Sequence, residues 1–370
     1  MVWPSQWHIP AAGLNVAMGA LLFVLLASIA PAAVYSGGPV AIASLARVGL
    51  VAIAVYLFLF TAYGPAGRFE AFVAIRRLYA AAVMAALFAC ADFYYQLPAP
   101  AGYGAQFVWL DSGVYRRAQG LFYEASTLGN FCAFFVVMIA VSLLVPRGAA
   151  PVPRRWLAAG GAVVVAALVL SYSRASLLNV MVACLVLLWR HRGRLNTKKL
   201  AALAGYTTAA ALVIWKAFPA FADTYWLRLS TSAQYFFSAT EGVLSGRIAS
   251  WQALLAWIRE EPWQLLWGIG YKTLPYTERL GAPVVADNMY LSLLVETGIL
   301  GLAALVWFNA AVLRASAAAS RAADPRRAFC GTWMLCFWSG QIVQMLSGDL
   351  LTYWRVLPVY LFVLALAVRP

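Results

Sequence analysis

Charged residues are scarce in this sequence, and their scarcity decides its structural class. Asp, Glu, Lys and Arg make up 11% of the 370 residues, whereas hydrophobic residues make up 64% and the mean hydropathy is +0.79. A soluble domain has about a quarter charged residues, so this chain cannot cover a water-facing surface. The same composition excludes disordered and coiled-coil chains, and the long apolar runs exclude a transmembrane β-barrel. The sequence therefore predicts an all-α polytopic membrane protein.

Histidine, cysteine and nucleotide-binding motifs are also sparse. The two histidines, His8 and His191, both fall in predicted cytoplasmic segments, and the five cysteines lie inside apolar runs without the spacing of metal ligands. No Walker-type phosphate loop, Gly-rich dinucleotide turn or Ser nucleophile elbow is present. The sequence therefore predicts no metal and no cofactor. An enzyme of this composition must take a substrate that is already activated in the membrane.

Long apolar runs predict about ten transmembrane helices (nine to twelve), since a spanning helix needs roughly 20 apolar residues. The predicted spans are 11–34, 40–62, 75–95, 122–145, 156–172, 175–190, 199–218, 288–313, 328–347 and 352–369. The fifth and sixth are short and separated only by Ser173-Arg174, which suits one broken hairpin. No Lys or Arg precedes the first run, which disfavours a cleaved signal peptide.

The distribution of Lys and Arg predicts the orientation. With a cytoplasmic N-terminus, the inner loops hold 16 of the 27 basic residues and two acids, whereas the outer side holds 11 of each sign. Cytoplasmic loops are enriched in Lys and Arg, so both termini are predicted to be cytoplasmic in an inner membrane. The excess suits contact with anionic lipid and not with nucleic acid. Residues 1–370 are then one transmembrane domain with two outer segments, 96–121 and 219–287.

The larger outer segment carries an amphipathic pattern over Gly246–Ile269. Trp251, Leu254, Leu255 and Ile258 share one face of a helix, and the pattern predicts an amphipathic helix in the outer membrane interface.

Ionisable residues near membrane spans are functional candidates because burying them is costly. Those near the predicted outer face, with one neighbouring amide, are Arg116, Arg117, Glu124, Arg174, Arg247, Asp287, Asn288, Glu296 and Asp349. Arginines that converge on one cavity suit a phosphate or diphosphate, because their guanidinium groups pair bidentately with its oxygens. Structural roles are the alternative: Arg116 and Arg117 reach the membrane surface, Glu124 pairs with one of them, and Arg247 serves a helix end.

Asp287 is the candidate general base. The predicted outer side has no histidine, and a partly buried carboxylate is the natural substitute. The alternative role for Asp287 is to cap the following helix, a position that favours Asp and Asn.

Four segments resemble one family. RAQGLFYEASTLGNF resembles the R-x-x-G-x-F-x-E-P-x-x-x-G motif of bacterial exopolysaccharide and O-antigen polymerases, and SYSRASLL resembles the S-x-S-R-[AG] segment of the O-antigen ligase and Wzy-type polymerase superfamily. SGRIASWQALLAWIREEPWQLLWGIGY is similar to the R-x-x-x-W helix of that superfamily, and ADNMYLSLLVETGILGL to its [HD]-N-x-Y-L-x-x-x-x-E-x-G-x-x-G block. The segments span about residues 116–301 in family order.

The resemblance implies a helical, GT-C-like glycosyltransferase that uses polyprenyl-diphosphate-linked oligosaccharide at the periplasmic face, without metal. Two positions differ from the motifs: Asp287-Asn288 stands where ligases usually have His-Asn, and Ala125 replaces the Pro after Glu124. The first difference favours a polymerase over a ligase that transfers glycan to lipid A core. A polysaccharide or lipid-linked glycan flippase, or a non-catalytic subunit, are the other classes. A chain-length regulator and other polysaccharide-assembly proteins are the candidate partners.

The predicted chemistry is direct displacement at the anomeric carbon, which inverts its configuration. Arg174 and Arg247, aided by Arg116 or Arg117, stabilise the departing diphosphate, and Asp287 takes the acceptor proton. Further candidate substrate-binding residues are Glu124, Asn288, Tyr290, Glu296 and Tyr271.

Overall fold

A computed structural model describes most of the chain outside the segment 193–246. The described residues are 9–11, 13–64, 70–98, 104–110, 113–145, 150–192, 215–216, 223, 226–227, 230, 247–277 and 284–369. Statements about structure below concern these residues.

Helices dominate the described chain. They are α1 (Gly13–Ala27), α2 (Ile29–Ser36), α3 (Gly38–Tyr63), α4 (Ala71–Tyr95), α5 (Ala125–Leu144), α6 (Arg154–Leu170), α7 (Arg174–His191), α8 (Arg247–Glu260), α9 (Met289–Ala319), α10 (Pro325–Gln344) and α11 (Leu357–Val368). Short 3₁₀ turns cover Gly120–Phe122, Pro262–Leu265, Met345–Ser347 and Leu350–Thr352. The expectation of an all-α chain is wrong in one detail. Strands β1 (Phe107–Leu110) and β2 (Gly113–Arg116) form an antiparallel hairpin within the predicted outer segment 96–121.

Six helical segments of the described chain are long and apolar enough to cross a membrane. They are Gly13–Ser36, Gly38–Tyr63, Ala71–Tyr95, Ala125–Leu144, Arg174–His191 and Met289–Ala319. Helices α6, α10 and α11 coincide with three more of the ten predicted spans, and the predicted span 199–218 lies almost wholly outside the described residues. The protein is therefore a helical polytopic membrane protein.

Helix α10 shows why a central helix of the bundle is less apolar than its neighbours. Pro325 occupies its first turn, and the side chain of Asp324 caps it by accepting the Arg326 N–H at 3.1 Å. Gln341 and Gln344 near its other end are buried, and their side-chain oxygens accept hydrogen bonds from amide groups on α5 and α7. Polar side chains that face other helices and bond one another are tolerated in a membrane bundle.

Aromatic packing joins the centre of the bundle. The rings of Phe134 and Trp333 lie 4.2 Å apart, and those of Phe134 and Tyr360 lie 4.6 Å apart. The indole N–H of Trp333 also donates to the carbonyl of Phe134 at 2.8 Å. These contacts hold α5, α10 and α11 together as a fixed frame.

One ion pair joins the two loops that the charge pattern predicts on a common side of the membrane. Arg326 Nη2 lies 3.5 Å from Glu70 Oε1, so the starts of α4 and α10 meet at one end of the bundle. Asp92 near the end of α4 and Ser171 at the end of α6 lie at the opposite end of the bundle, where the site described below is built.

The apolar face of α8 is partly covered by protein. Leu254 and Trp257 are buried in a small core with Ile269, Leu274, Val284, Ala286 and Val295. Leu255 of the predicted face is exposed, and so are three residues after the helix, Trp263, Leu266 and Trp267. Part of the apolar face therefore holds α8 against the loop before α9, and the position of α8 in the outer membrane interface stays a prediction.

Candidate active site

The turn between α6 and α7 forms one side of the site. The chain reverses at Tyr172, whose φ is 49°, and Ser173 caps α7 by accepting the Ser176 N–H. Arg174 is the first residue of α7. A cation at the positive end of a helix dipole is unfavourable by itself, and a bound anion removes that cost. The turn predicted within 156–190 therefore separates two helices that both pack against α5, with Arg174 at the start of the second.

The loop before α5 lies against this turn. Ala118 N–H donates to the Leu170 carbonyl at 2.9 Å, and Arg117 Nε donates to the Ser171 carbonyl at 2.9 Å. Arg174 and Arg247 are close enough to interact electrostatically with Arg117. Burial lowers the pKa of Arg117 to about 10; Tyr353 partly opposes this shift, whereas the positive charges of Arg247 and Arg174 add to it. Arg117, Arg174 and Arg247 therefore lie near one another, close to the N-terminus of α7.

Helix α8 contains the third arginine, Arg247, and contacts the candidate base, Asp287. Arg247 Nε donates to Asp287 Oδ2 at 3.0 Å, and Trp251 Nε1 donates to the Ala286 carbonyl at 2.6 Å. Residues at i and i+4 share one face of a helix. The R-x-x-x-W spacing therefore lets α8 form hydrogen bonds to two consecutive residues of the loop before α9. The side chain of Asp287 remains 47% exposed.

The cap of α9 is Asn288 and not Asp287. The Oδ1 atom of Asn288 accepts the N–H groups of Tyr290 and Leu291, each at 3.1 Å. Asp287 has a left-handed backbone with φ 46°, outside the helix, and its carboxylate bonds Arg247. The Tyr290 hydroxyl donates to the Ile342 carbonyl at 2.8 Å, which ties α9 to α10. The alternative role predicted for Asp287 as a helix cap is therefore filled by its neighbour.

A break in α9 positions Glu296. Gly298 has φ 70° and ψ −170°, so the helix does not continue regularly through it. The carbonyls of Val295 and Glu296 instead accept the N–H groups of Ile269 and Gly270, at 3.1 and 2.8 Å. A side chain at Gly298 would clash with the Leu266 carbonyl, which explains the glycine in the E-x-G motif.

A cavity of about 400 Å³ lies beside Asp287. It is lined by Arg47, Leu50, Tyr271, Lys272, Leu274, Pro275, Val284, Val285, Ala286, Asp287, Ser292, Glu296, Asp349, Leu351 and Trp354. Asp287, Glu296 and Tyr271, which were candidates from the sequence, thus share one cavity. Arg174 and Arg247 do not line it. Asp287 therefore stands between the arginines on one side and this cavity on the other.

The cavity contains two charged residues to which the sequence assigned no role. Lys272 forms an ion pair with Asp349, and Arg47 Nη1 donates to the Lys272 carbonyl at 3.0 Å. Burial by itself lowers the pKa of Lys272, but the charges of Asp349 and Glu296 outweigh it, so the pKa is raised overall and Lys272 remains charged. Arg47 was missed because it lies within an apolar helix, and Lys272 because the segment 219–287 shows no pattern around it.

Two predicted substrate-binding residues have structural partners. Arg116 Nη2 pairs with Asp92 Oδ1 at 3.2 Å, and Asp92 Oδ2 accepts the Gly120 N–H. Glu124 Oε2 accepts the hydroxyl hydrogen of Thr127 at 2.7 Å. The suggested pairing of Glu124 with Arg116 or Arg117 is not found among the described residues. Asp92 of α4 supplies the carboxylate that Arg116 binds, and Arg117 bonds the Ser171 carbonyl.

The comparison with known families agrees with these positions. Residues 159–306 match a family model described as O-antigen ligase, and the match includes Arg174, Arg247 and Asp287. No curated protein matches the chain. The match supports the resemblance of the four sequence segments to the O-antigen ligase and Wzy-type polymerase superfamily.

Proposed function

We propose that this protein is a membrane glycosyltransferase that transfers or polymerises glycan from a polyprenyl-diphosphate donor. The observation that carries the proposal is the cluster of Arg117, Arg174 and Arg247 with Asp287 at one end of a membrane bundle. A diphosphate leaving group needs cations as its charge develops, and the acceptor needs a base; the cluster has both.

The proposed reaction is a single displacement. The acceptor hydroxyl oxygen attacks the anomeric carbon of the donor glycan while the bond from that carbon to the diphosphate oxygen breaks. The acceptor proton passes to the carboxylate of Asp287, and the polyprenyl diphosphate leaves with its charge balanced by the arginines. The products are a glycoside of inverted configuration and free polyprenyl diphosphate. No metal or nucleotide sugar takes part in this proposal.

Arg247 has the geometry to serve both substrates. Its Nε atom bonds Asp287, so its Nη groups are the donors that a phosphate oxygen would take. In this arrangement Arg247 orients the base toward the anomeric carbon at the same time as it binds the leaving group. We propose Arg174 and Arg247 as the principal diphosphate ligands, with Arg117 as the third.

Polymerisation is the preferred form of this reaction, and transfer to lipid A core is the alternative. The preference depends on Asp287, which occupies the position where ligases usually carry histidine. We propose ten spans in an inner membrane, with both termini cytoplasmic and the site facing the periplasm.

A transporter or flippase is less well supported. Discontinuous helices are a feature of transporters, and α9 is broken at Gly298. The carbonyls freed by the break are, however, bonded to Ile269 and Gly270, so they are not available to bind a transported ion.

The test is a transfer assay with the full chain in lipid nanodiscs and polyprenyl-diphosphate-linked repeat units from the source cells. The expected products are lengthened lipid-linked glycans and released polyprenyl diphosphate. A lipid A core acceptor in a parallel reaction separates ligase from polymerase. The Arg259→Ala variant is the matched control, because Arg259 is exposed on α8 away from Arg247. Folded protein that forms no product with either acceptor would refute the proposal.

A further inference from the structure

The cavity beside Asp287 differs in charge from the arginine cluster. Its lining carries three carboxylates, Asp287, Glu296 and Asp349, and two cations, Arg47 and Lys272. Lys272 is already paired with Asp349. The arginine cluster has the opposite balance, with three guanidinium groups and the single carboxylate of Asp287. Asp287 belongs to both sets, so the charges of the cavity nearly balance, whereas the cluster has an excess of positive charge. A diphosphate therefore favours the cluster.

The cavity also has polar atoms that lack partners. Glu296 Oε2 and Tyr271 Oη are buried and form no hydrogen bond within the described residues. The other carboxylate oxygen, Glu296 Oε1, accepts the Leu274 N–H at 3.3 Å. A buried polar atom without a partner is costly. Both atoms belong to residues of the cavity wall.

Backbone strain is concentrated in the same place. Lys272 and Asp287 both have left-handed backbones, with φ of 59° and 46°. Such conformations cost of order 1–3 kcal/mol for residues other than glycine, and they persist where the surroundings enforce them. Both residues line the cavity, and both bring a charged side chain to it.

We infer that this cavity is the acceptor subsite and that it binds a neutral, hydroxyl-rich glycan. The inference rests on the proposed function and adds to it the place and chemical class of the acceptor. Sugar hydroxyls both donate and accept, so they bond carboxylates and ammonium groups in the same pocket. Trp354 and the exposed apolar lining residue Val285 provide surfaces for the C–H faces of a sugar ring.

The position of Asp287 fits this assignment. Its carboxylate lines the cavity on one side and bonds Arg247 on the other. An acceptor hydroxyl in the cavity and a diphosphate on the arginines would thus meet at Asp287. The size of the cavity agrees, since small-molecule sites occupy roughly 300–1,000 Å³.

A tryptophan substitution separates the two subsites. Leu50 lines the cavity from α3, and Leu50→Trp fills part of it without changing any charge. Leu45→Trp, on the same helix at an exposed position outside the cavity, is the matched control. The measurement is isothermal titration of the full chain in nanodiscs with three probes. They are inorganic diphosphate, farnesyl diphosphate and the free repeat-unit oligosaccharide released by mild acid from lipid-linked glycans of the source cells.

Leu50→Trp is expected to weaken oligosaccharide binding at least about tenfold and to leave diphosphate binding unchanged. Arg174→Ala is expected to do the reverse, and Leu45→Trp to change neither. Retained diphosphate binding shows that Leu50→Trp is folded. Asp349→Asn, which keeps the shape of the cavity, is expected to weaken the oligosaccharide alone.

Three results would overturn the inference. Oligosaccharide binding that is insensitive to both Leu50→Trp and Asp349→Asn places the acceptor elsewhere. Loss of diphosphate binding in folded Leu50→Trp protein makes the cavity the diphosphate site. Weaker binding of farnesyl diphosphate but not of inorganic diphosphate makes it a lipid-chain site. Wild-type protein that catalyses transfer yet binds oligosaccharide outside this cavity refutes the subsite alone, whereas absence of any transfer refutes the proposed function.

Discussion

Arg247 and Asp287 form an ion pair of 3.0 Å although 39 residues separate them in the chain. The pair joins the first turn of α8 to the residue before the cap of α9. Because Asn288 supplies that cap, the carboxylate of Asp287 has no role in holding the helix start. Its local partner is an arginine of the cluster, which suits a group that acts on a substrate.

Asp287→Asn is therefore expected to abolish transfer without unfolding the protein. General bases contribute roughly 100- to 10,000-fold in rate, and an amide cannot take the acceptor proton. Turnover and diphosphate binding are measured on the same nanodisc sample. Asp324→Asn is the matched control, because Asp324 caps α10 at the other end of the bundle and Asn caps about as well. Full turnover in folded Asp287→Asn protein would move the role of base to Glu124, Glu296 or another group.

The arginines are expected to act on the leaving group. Arg174→Ala and Arg247→Ala should each lower the rate roughly 100- to 1,000-fold, the cost typical of losing one preorganised charge-stabilising donor. Lys substitutions should also be damaging, since a lysine lacks the planar fork that pairs with two oxygens. Rates of donor consumption at saturating donor measure the effect, and Arg259→Ala should remain at the wild-type rate. Near-normal rates in both alanine variants would refute the proposed role of these arginines in binding the diphosphate.

The sequence predicted the membrane helices more successfully than the partners of individual charged residues. Apolar runs and capping residues are local signals, so the bounds of α3, α4 and α5 lie close to the predicted spans. The pairing of Arg116 with Asp92 depends on how α4 meets β2, which no local pattern encodes. The contact of Lys272 with Asp349 likewise joins two loops 77 residues apart and was missed.

Arg116 is expected to matter for stability and not for substrate binding. Its side chain and that of Asp92 are 14% and 10% exposed, and removing one member of a buried ion pair costs about 3–5 kcal/mol. Arg116→Gln should therefore lower the thermal unfolding temperature in detergent, and Asp92→Asn should do the same. The double variant should recover part of the loss, because no buried charge is left without its partner. A stable Arg116→Gln protein that has lost only diphosphate binding would show that Arg116 binds the substrate.

The proposed orientation gives opposite labelling at the two ends of the bundle. Val285 is exposed beside the site, and Ala323 is exposed in the loop before α10. In a cysteine-free background, Val285→Cys should react with a membrane-impermeant maleimide added to intact spheroplasts. Ala323→Cys should react only after the membrane is opened. The reverse pattern would place the site in the cytoplasm, and the positive-inside assignment would be wrong.

Gly129 is expected to set the position of Arg174. The glycine lies on α5 where it meets the turn between α6 and α7, and a β-carbon there would lie 2.7 Å from Ser173 Cβ and 2.8 Å from Ser171 Oγ. Gly129→Ala must therefore push the turn away from α5, and overpacking of this kind costs typically 1–3 kcal/mol. Because Ser171 binds Arg117 and Ser173 caps the helix that begins with Arg174, the displacement reaches two of the three arginines.

Gly129→Ala is expected to lower both the diphosphate affinity and the transfer rate. Expressed as free energies, these losses should exceed the loss in the free energy of unfolding. Gly49→Ala is the matched control, since a β-carbon at Gly49 meets nothing within 4 Å and alanine favours the helix. Titration with inorganic diphosphate and a thermal unfolding curve are measured for both variants. If Gly129→Ala binds diphosphate as wild type does, the turn tolerates the shift and the glycine serves only the packing of α5. Loss of binding together with a wild-type unfolding temperature would instead show that the anion site depends on the close approach of α5 to this turn.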